Sequence, residues 1–553
     1  MEDRKSNTIV AWVHTWHTKK PEMNCVGVKE KVIYLNPDNE PIYTDRIRVY
    51  EDPRRPFWVT KPQYRTYQYK KEFGDMDKCE KFVCHDSELE YRLAKALGYY
   101  SQRKMSLRVL CNSPYVYGAD IETAVLIKQA YLAKMPTGFV PKYSVGGLDI
   151  ENEVHGEGRI NIITFIHEDK IFTGVLKDYA KVEYEPDKFR DATKEDFNQI
   201  IYKLLGFYFE RYHFKLELEI LPTELSLIKW IFARIHECKT DFIGVWNLSY
   251  DIPKIMDRIT ALGGDLEDIM CHPDVPKQYR WVNWYFDPKD VQHYTDKWHW
   301  LSLAGYSQFL DSMCLYARLR KVSGRDSSYS LDSISTKELG HGKLHFGAIT
   351  NHAYVQKHNF LEYTAYNIND AMVLMLMEKQ NNDMSAVAGL CGQSILSQFA
   401  RQTVLLKNDA YVYGKSRGKI PASAGTNMFS QYDNEQLKSG GAVLPPNKAV
   451  NVGTAIVEEL GDKETQVCLY TNDLDFSSLY PTVTSSFNIS KETILSTVLS
   501  INGMPRDSVE VLFGYLNRPD INGVPIGTQF FGLPNYQEWH DKFTKYLESQ
   551  QIN

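Results

Sequence analysis

Apolar positions along this chain recur with two different periods, and the change of period divides it. Over residues 1–142, short strand-like runs at Lys31–Leu35 and Phe57–Thr60 mix with helical patches at Ser87–Tyr99 and Ala124–Lys134, which predicts a separate mixed domain. Pro136-Thr-Gly and Pro141-Lys then break the pattern. From Tyr143 alternation takes over. Ile160–Ile166 and Ile171–Leu176, separated by His167-Glu-Asp-Lys170, predict a hairpin that begins a mixed sheet. Helical periodicity follows at Lys194–Phe209 and Glu224–Glu237, a short buried strand at Ile243–Trp246, and a long helix at Asn359–Lys379. Strands interspersed with helices predict a mixed α/β, multidomain fold. Beyond it the pattern predicts one helix over Ser385–Leu406, a turn-rich passage to Pro446, a strand through Val467–Tyr470 and a helix at Tyr536–Leu547.

Composition narrows the function classes. The 553 residues suffice for three or four domains with their own cores. A net charge of -6 excludes a chain-wide cationic coat but not local basic stripes such as 318–325 and 415–419. Aromatic residues make up 13%, with 36 Tyr, which serves either a β-rich core or stacking of unpaired bases. The nine cysteines include no C-x-x-C pair. Cys79, Cys84 and His85, or Cys271-His272, lack companions at zinc-site spacing, so free thiols in a reducing compartment are expected. No signal peptide and no apolar run of bilayer length is present, so a cytosolic, soluble protein with no membrane partner is expected.

Chemistry concentrates in acidic residues. Two D-I-E tripeptides occur, Asp120–Glu122 and Asp149–Glu151. A strand puts residues i and i+2 on one face, so D-x-E on a strand presents two carboxylates to one metal. Isolated D-x-E pairs are usually solvated acids. Asp120 precedes helical sequence, where its acids would cap the helix; Asp149 follows Gly146-Gly147 and leads into the hairpin, so it is the candidate. Asp251, in Asn247-Leu-Ser-Tyr-Asp251, follows a strand end and can reach a site at the sheet's edge, although such an aspartate commonly opens a turn or helix. Tyr366 and Asp370 lie four apart on a predicted helix and share a face. Four converging acids would repel unless cations neutralise them, and oxygen-only ligands suit two Mg2+ ions, with Mn2+ as substitute. The chemistry implied is phosphodiester hydrolysis. Asp475-Phe-Ser-Ser-Leu-Tyr-Pro481 adds a nucleotidyl-transfer signature: an aspartate at a strand end, then a tight turn offering amides to phosphates.

In this order, D-I-E, N-x-x-Y-D, Y-x-x-x-D, Gly440-Gly-Ala-Val443 and D-x-x-S-L-Y-P resemble family B DNA polymerases, of the type that replicates large tailed bacteriophages. S-Y-S-L-D-S-I-S at 328–335 and N-I-S-K-E-T-I at 488–494 strengthen the resemblance, which runs from about 145 to 500. It implies an RNase H-like 3'-5' proofreading exonuclease domain over 143–384, a connecting segment at 385–450 returning toward the N-terminal domain, the first part of a polymerase palm at 451–515, and the start of fingers at 516–553. Carried over, Asp149, Glu151, Asp251 and Asp370 hold two metals, Tyr366 orients the attacking water, and Asn247 faces the unpaired primer end. Gly440 and Gly441 belong to the linker that passes DNA between the two sites. Asp475 is a catalytic metal ligand of the polymerase site, Ser478 and Leu479 contact the incoming dNTP, and Tyr480 packs under its sugar.

The fingers motif K-x-x-x-N-S-x-Y-G and the second palm motif Y-x-D-T-D-S are absent from the sequence. The expectation is therefore the N-terminal part of a split replicative polymerase in the cytoplasm of an infected bacterial host. It would act as an exonuclease on single-stranded DNA and at a primer-template, with a second chain completing the polymerase. A sliding clamp and a single-strand-binding protein are further expected partners. The alternatives are a truncated polymerase that acts only as an exonuclease, or a non-catalytic DNA-binding scaffold.

Overall fold

A computed structural model describes residues 8–424, with interruptions at 21–22, 37–39, 68–69, 100–104, 137–138, 289–292 and 345–350, and beyond them the backbone of two paired strands, Thr454–Val457 and Thr465–Cys468, and residue 545. The fold is mixed α/β and multidomain, and the chain divides into two compact units. The first contains residues 1–59, 81–110 and 118–412; the second contains 60–80, 111–117 and 413–553.

The first unit opens with an antiparallel sheet of β1 (Thr8–Lys20), β2 (Met23–Leu35) and β3 (Pro41–Glu51). Its principal element is a six-stranded mixed sheet built from β4 (Val145–Asn152), β5 (Ile160–His167), β6 (Lys170–Leu176), β7 (Lys215–Leu221), β8 (Phe242–Val245) and β9 (Gln308–Asp311), in the order β7-β6-β5-β4-β8-β9. β5 runs against both of its neighbours, and every other pairing is parallel. Helices cover both faces, as parallel strands require.

On one face, Leu148, Ile150, Ile163 and Phe165 pack against α2 (Glu224–Cys238) through Leu227, Ile228 and Ile231. On the other, Ile162 and Ile166 meet α1 (Lys194–Tyr212) and α6 (Phe360–Asn381) through Phe197, Ile201, Ala371 and Met375. α3 (Leu248–Ala261) follows β8, α4 (Ser312–Leu319) follows β9, and α5 (His352–His358) precedes α6. α1 starts at a capping box: Thr193 accepts from the Asp196 amide and the Asp196 carboxylate accepts from that of Thr193.

In the second unit Lys419–Pro421 pairs with Phe73–Asp75, and Lys419 forms an ion pair with Asp75. Lys70 donates to the Cys111 carbonyl and, at 2.8 Å, to that of Ser423.

The predicted hairpin, the helices at 194 and 224 and the long helix at 359 are all present, each longer or displaced by a few residues at its ends. The strand expected at Val467–Tyr470 is observed at Thr465–Cys468. The single helix expected over Ser385–Leu406 is instead Asp383–Leu390, a 3-10 turn at Leu396–Gln398 and a helix from Gln402 to Lys415. The break falls at Cys391-Gly392, where Gly392 takes φ +51°, a conformation that glycine adopts without strain. Asp120 and Glu122 do not cap the helix Thr123–Leu132: Glu122 occupies the N-cap position without a capping hydrogen bond from its side chain, and Asp120 forms an ion pair with Lys407 at 2.7 Å. All eight cysteines among the described residues are free thiols. Among those residues no helix is long and apolar enough to cross a membrane.

Candidate metal centre

The acidic site is assembled where β4 meets α6. Alternation along β4 sends Leu148 and Ile150 into the core beneath the sheet and leaves Gly147, Asp149 and Glu151 on the opposite face. Gly147 lets α6 lie close, since a Cβ there would stand 3.3 Å from the Ala371 carbonyl oxygen and 3.6 Å from Leu374 Cβ. On α6, Tyr363, Tyr366, Asn367 and Asp370 fall at helical spacing along one stripe. The helix is largely buried, and this stripe of polar groups lies against β4.

One carboxylate oxygen from each of Asp149, Glu151 and Asp370 lies within 4.8 Å of the others, an arrangement that could hold a metal ion. Asp149 Oδ2 accepts from Asn367 Nδ2 at 2.6 Å, and Glu151 Oε2 accepts from the Tyr363 hydroxyl. Asp370 Oδ2 is paired with Lys343 Nζ, which also donates to Tyr366 Oη at 3.0 Å. Among the described residues Asp370 Oδ1 is buried with no hydrogen-bond partner, a state expensive to maintain unless a further ligand meets it.

Asp251 stands outside the three-oxygen group, in the first turn of α3. It is nonetheless buried, with the charge of Glu151 acting on it. The N-x-x-Y-D segment is tied to β4 through Tyr250, whose hydroxyl donates to Asn152 Oδ1 at 2.9 Å. Asn247 sits at the N-cap position of α3 and accepts from Ser249 Oγ at 2.9 Å. It lines a cavity of about 540 Å³ together with Phe286, Tyr294, Lys297, His299 and Asp311.

Burial, then the charges of Asp370, Asp251 and Glu151, pushes Asp149 well above the usual carboxylate range. Burial likewise raises Glu151 to about 7, against the opposing hydrogen bond from Tyr363. Asp370 rises to about 6 through burial, with Lys343 pulling the other way. Asp251 is raised by burial and by Glu151. Burial, and for Asp149, Glu151 and Asp251 the neighbouring acids as well, disfavours charge on these groups, and a bound cation would offset both effects. A donor set of carboxylate oxygens fits a hard divalent cation and not zinc.

Sequence reasoning placed Asp149, Glu151, Asp251, Tyr366 and Asp370 here and missed Lys343, Tyr363, Asn367 and Asp311. Tyr363 and Asn367 could have been found by extending the Tyr366–Asp370 stripe backward along the helix. Asp311, at the end of β9, caps α4 by accepting from the Cys314 amide at 2.9 Å, and burial raises it to about 6. Lys343 lies in irregular sequence with no periodic signal. Gly440, Gly441, Asp475, Ser478, Leu479 and Tyr480 lie outside the described residues.

No family model matches the chain. Over 264 residues it is 24% identical to the DNA-directed DNA polymerase of Escherichia phage RB69, a match covering 46% of this chain and 24% of that protein. The chain thus spans about a quarter of the length of the relative it matches. It is a distant relative of a bacteriophage DNA polymerase.

Proposed function

We propose that residues 143–384 form a metal-dependent 3'-5' exonuclease acting on single-stranded DNA ends. The observation that carries this reading is the convergence of Asp149, Glu151 and Asp370, with Asp251 buried beside them, at one end of the mixed sheet. Two bound Mg2+ or Mn2+ ions would supply charge neutralisation and activation of a water nucleophile. Asp149, Glu151, Asp251 and Asp370 would hold them, and Asp370 Oδ1, buried without a hydrogen-bond partner among the described residues, fits that role.

The remaining chemistry belongs to the chain. Burial first, then the nearby Asp370 charge, raises the Tyr366 phenol, so its proton stays in place at neutral pH and can orient the attacking water. Burial opposes the charge on Lys343, but Asp370, Tyr366 and Asp149 outweigh it, so the ammonium persists and can hold a phosphate oxygen. The cavity beside Asn247 offers Phe286 and Tyr294 for stacking an unpaired base and Lys297 for its phosphate.

The decisive assay uses a 5'-labelled single-stranded oligonucleotide with Mg2+. The parent chain shortens it from the 3' end, and Asp149→Ala lowers the rate at least 10³-fold, on the order expected when a metal-supporting carboxylate is lost. Hydrolysis surviving that substitution refutes the site.

The distant polymerase relationship and the motif at 475–481 support a second part of the reading. Asp475, with Ser478, Leu479 and Tyr480, contributes one metal ligand and the dNTP contacts of a polymerase site, and Gly440-Gly441 guides DNA toward it. Polymerisation requires in addition sequence carrying the K-x-x-x-N-S-x-Y-G and D-T-D-S motifs. Primer-template DNA, a sliding clamp and a single-strand-binding protein complete the proposed partners.

A further inference from the structure

Tyr363 and Gln356 are left without a role by the nuclease chemistry, yet both touch its framework. Tyr363 is 2% exposed. Its hydroxyl donates to Glu151 Oε2, and its ring lies parallel to that of Tyr366, with centroids 5.9 Å apart and planes 2° from parallel. Gln356, on α5, is 6% exposed and makes contacts at both ends of its amide. Nε2 donates to the Asn152 carbonyl at 2.7 Å and reaches Tyr363 Oη at 3.4 Å, while Oε1 accepts from the Val154 amide at 3.2 Å.

These contacts meet at a weak point in the sheet. The β4–β5 register shifts between Glu151 and Asn152, so the ladder no longer fixes the strand just where the second carboxylate leaves it. A glutamate side chain has three rotatable torsions, and holding its carboxylate against neighbouring acids requires a partner. The Tyr363 phenol is that partner, and Gln356 fixes both the phenol and the strand end. By contrast, Asp149 is shorter, lies before the register shift and is held by Asn367.

We propose that Tyr363, braced by Gln356, is a positioning residue that sets the orientation of the Glu151 carboxylate for cation binding. Outer partners of metal-ligating carboxylates typically alter affinity or activity by about 10–100-fold when removed. The inference rests on the metal-dependent nuclease reading above.

Tyr363→Phe keeps the ring and its stacking and deletes only the O–H. Mn2+ binding to the intact chain without DNA, followed by electron paramagnetic resonance, should weaken about tenfold or more, while hydrolysis of the single-stranded end falls in kcat with KM nearly unchanged. Glu151→Gln should weaken Mn2+ binding as well. The double variant Tyr363→Phe/Glu151→Gln should bind no more weakly than Glu151→Gln alone, because the phenol acts through that carboxylate. Gln356→Leu should shift Mn2+ affinity in the same direction by less, and it replaces Tyr363→Phe as the test should the latter fail to give a parent-like circular dichroism spectrum. Parent-like Mn2+ affinity in the folded variant, or losses that add in the double variant, overturns the proposal. Asp149→Ala separates the two readings. If it leaves Mn2+ binding and hydrolysis intact, the nuclease reading fails and takes this one with it. If it abolishes both while Tyr363→Phe changes neither, only the positioning role fails.

Discussion

Two of the places where the first unit buries carboxylates treat them in opposite ways. Asp241, at the entrance to β8, has a fully buried side chain and meets Lys29 Nζ at 2.5 Å and Lys31 Nζ at 2.8 Å, both from β2. Asp45 on β3 approaches the same lysines at 3.6 and 3.2 Å. Two acids face two ammoniums, and the Ser144 amide completes the shell at 2.7 Å from Asp241 Oδ2. Burial disfavours the Asp241 charge, but Lys29 and Lys31 outweigh it and hold the group below the usual carboxylate range. At the candidate metal centre Asp149, Glu151, Asp251 and Asp370 face Lys343, and all four acids are raised. Where the chain supplies its own countercharge, a buried acid locks β2 and β3 to the larger sheet. Where one lysine faces four acids, the same residue type leaves a group that could hold a cation.

The comparison breaks most visibly at the lock. Asp241→Ala leaves two lysines facing a site without their main partner, and removing one member of a buried ion pair typically costs about 3–5 kcal/mol. A large drop in the melting temperature and denaturant midpoint is therefore expected. Asp149→Ala, made where acids repel, should leave the cation-free chain at least as stable as the parent. Similar losses from the two substitutions would erase the distinction.

pH sharpens the same contrast. Glu151, raised from 4.5 to about 7, and Asp370, raised from 3.8 to about 6, keep protons in the folded chain at pH values where the unfolded chain has released them. Their contribution is fully present below about pH 4 and is lost as pH rises through about 7, on the order of 3 kcal/mol for Glu151 alone. Asp241 has the opposite sign: depressed when folded, it contributes above the ordinary carboxylate range and loses that contribution on acidification. Melting curves in EDTA should therefore fall between about pH 4.5 and 7, and millimolar Mg2+ should restore the loss by binding the ionised site. Taking the difference between the two curves removes Asp241 and also His14, which burial lowers to about 4. A difference that does not grow with pH would mean that the acids are neutralised by something other than a cation.

What the sequence disclosed follows from the range of each interaction. Asp149 and Glu151 were visible because strand alternation is local, and Tyr366 with Asp370 because helical spacing is local. Lys343 lies 27 positions from Asp370 and outside any helix or strand, which leaves no periodic trace. The lock joins Lys29 to Asp241 across more than two hundred positions, and neither residue stands out from its neighbours in the sequence. The helix expected over Ser385–Leu406 failed for a different reason: its apolar pattern is continuous, but a left-handed Gly392 and the turn at Leu396–Gln398 interrupt the backbone beneath it.

The finest test of the geometry uses one substitution at two glycines. Gly206, inside α1, has nothing within 4 Å of an added Cβ, so Gly206→Ala should stabilise the chain by roughly 0.5–1 kcal/mol through helix propensity alone and leave hydrolysis unchanged. Gly147→Ala places a Cβ 3.3 Å from the Ala371 carbonyl oxygen. That oxygen belongs to helix backbone and cannot rotate away, so α6 must retreat by a few tenths of an ångström. The stability cost should be about 1 kcal/mol, at the low end for overpacking. The catalytic cost should be larger in proportion, because Asp149 and Glu151 remain on β4 while Asp370 and Tyr366 move with α6, and small misplacements of reacting groups are amplified in rate. A roughly tenfold fall in exonuclease rate, with weaker Mn2+ binding, is the expected result. Equal behaviour of the two variants would show that the approach of α6 to β4 does not set the spacing of the carboxylates.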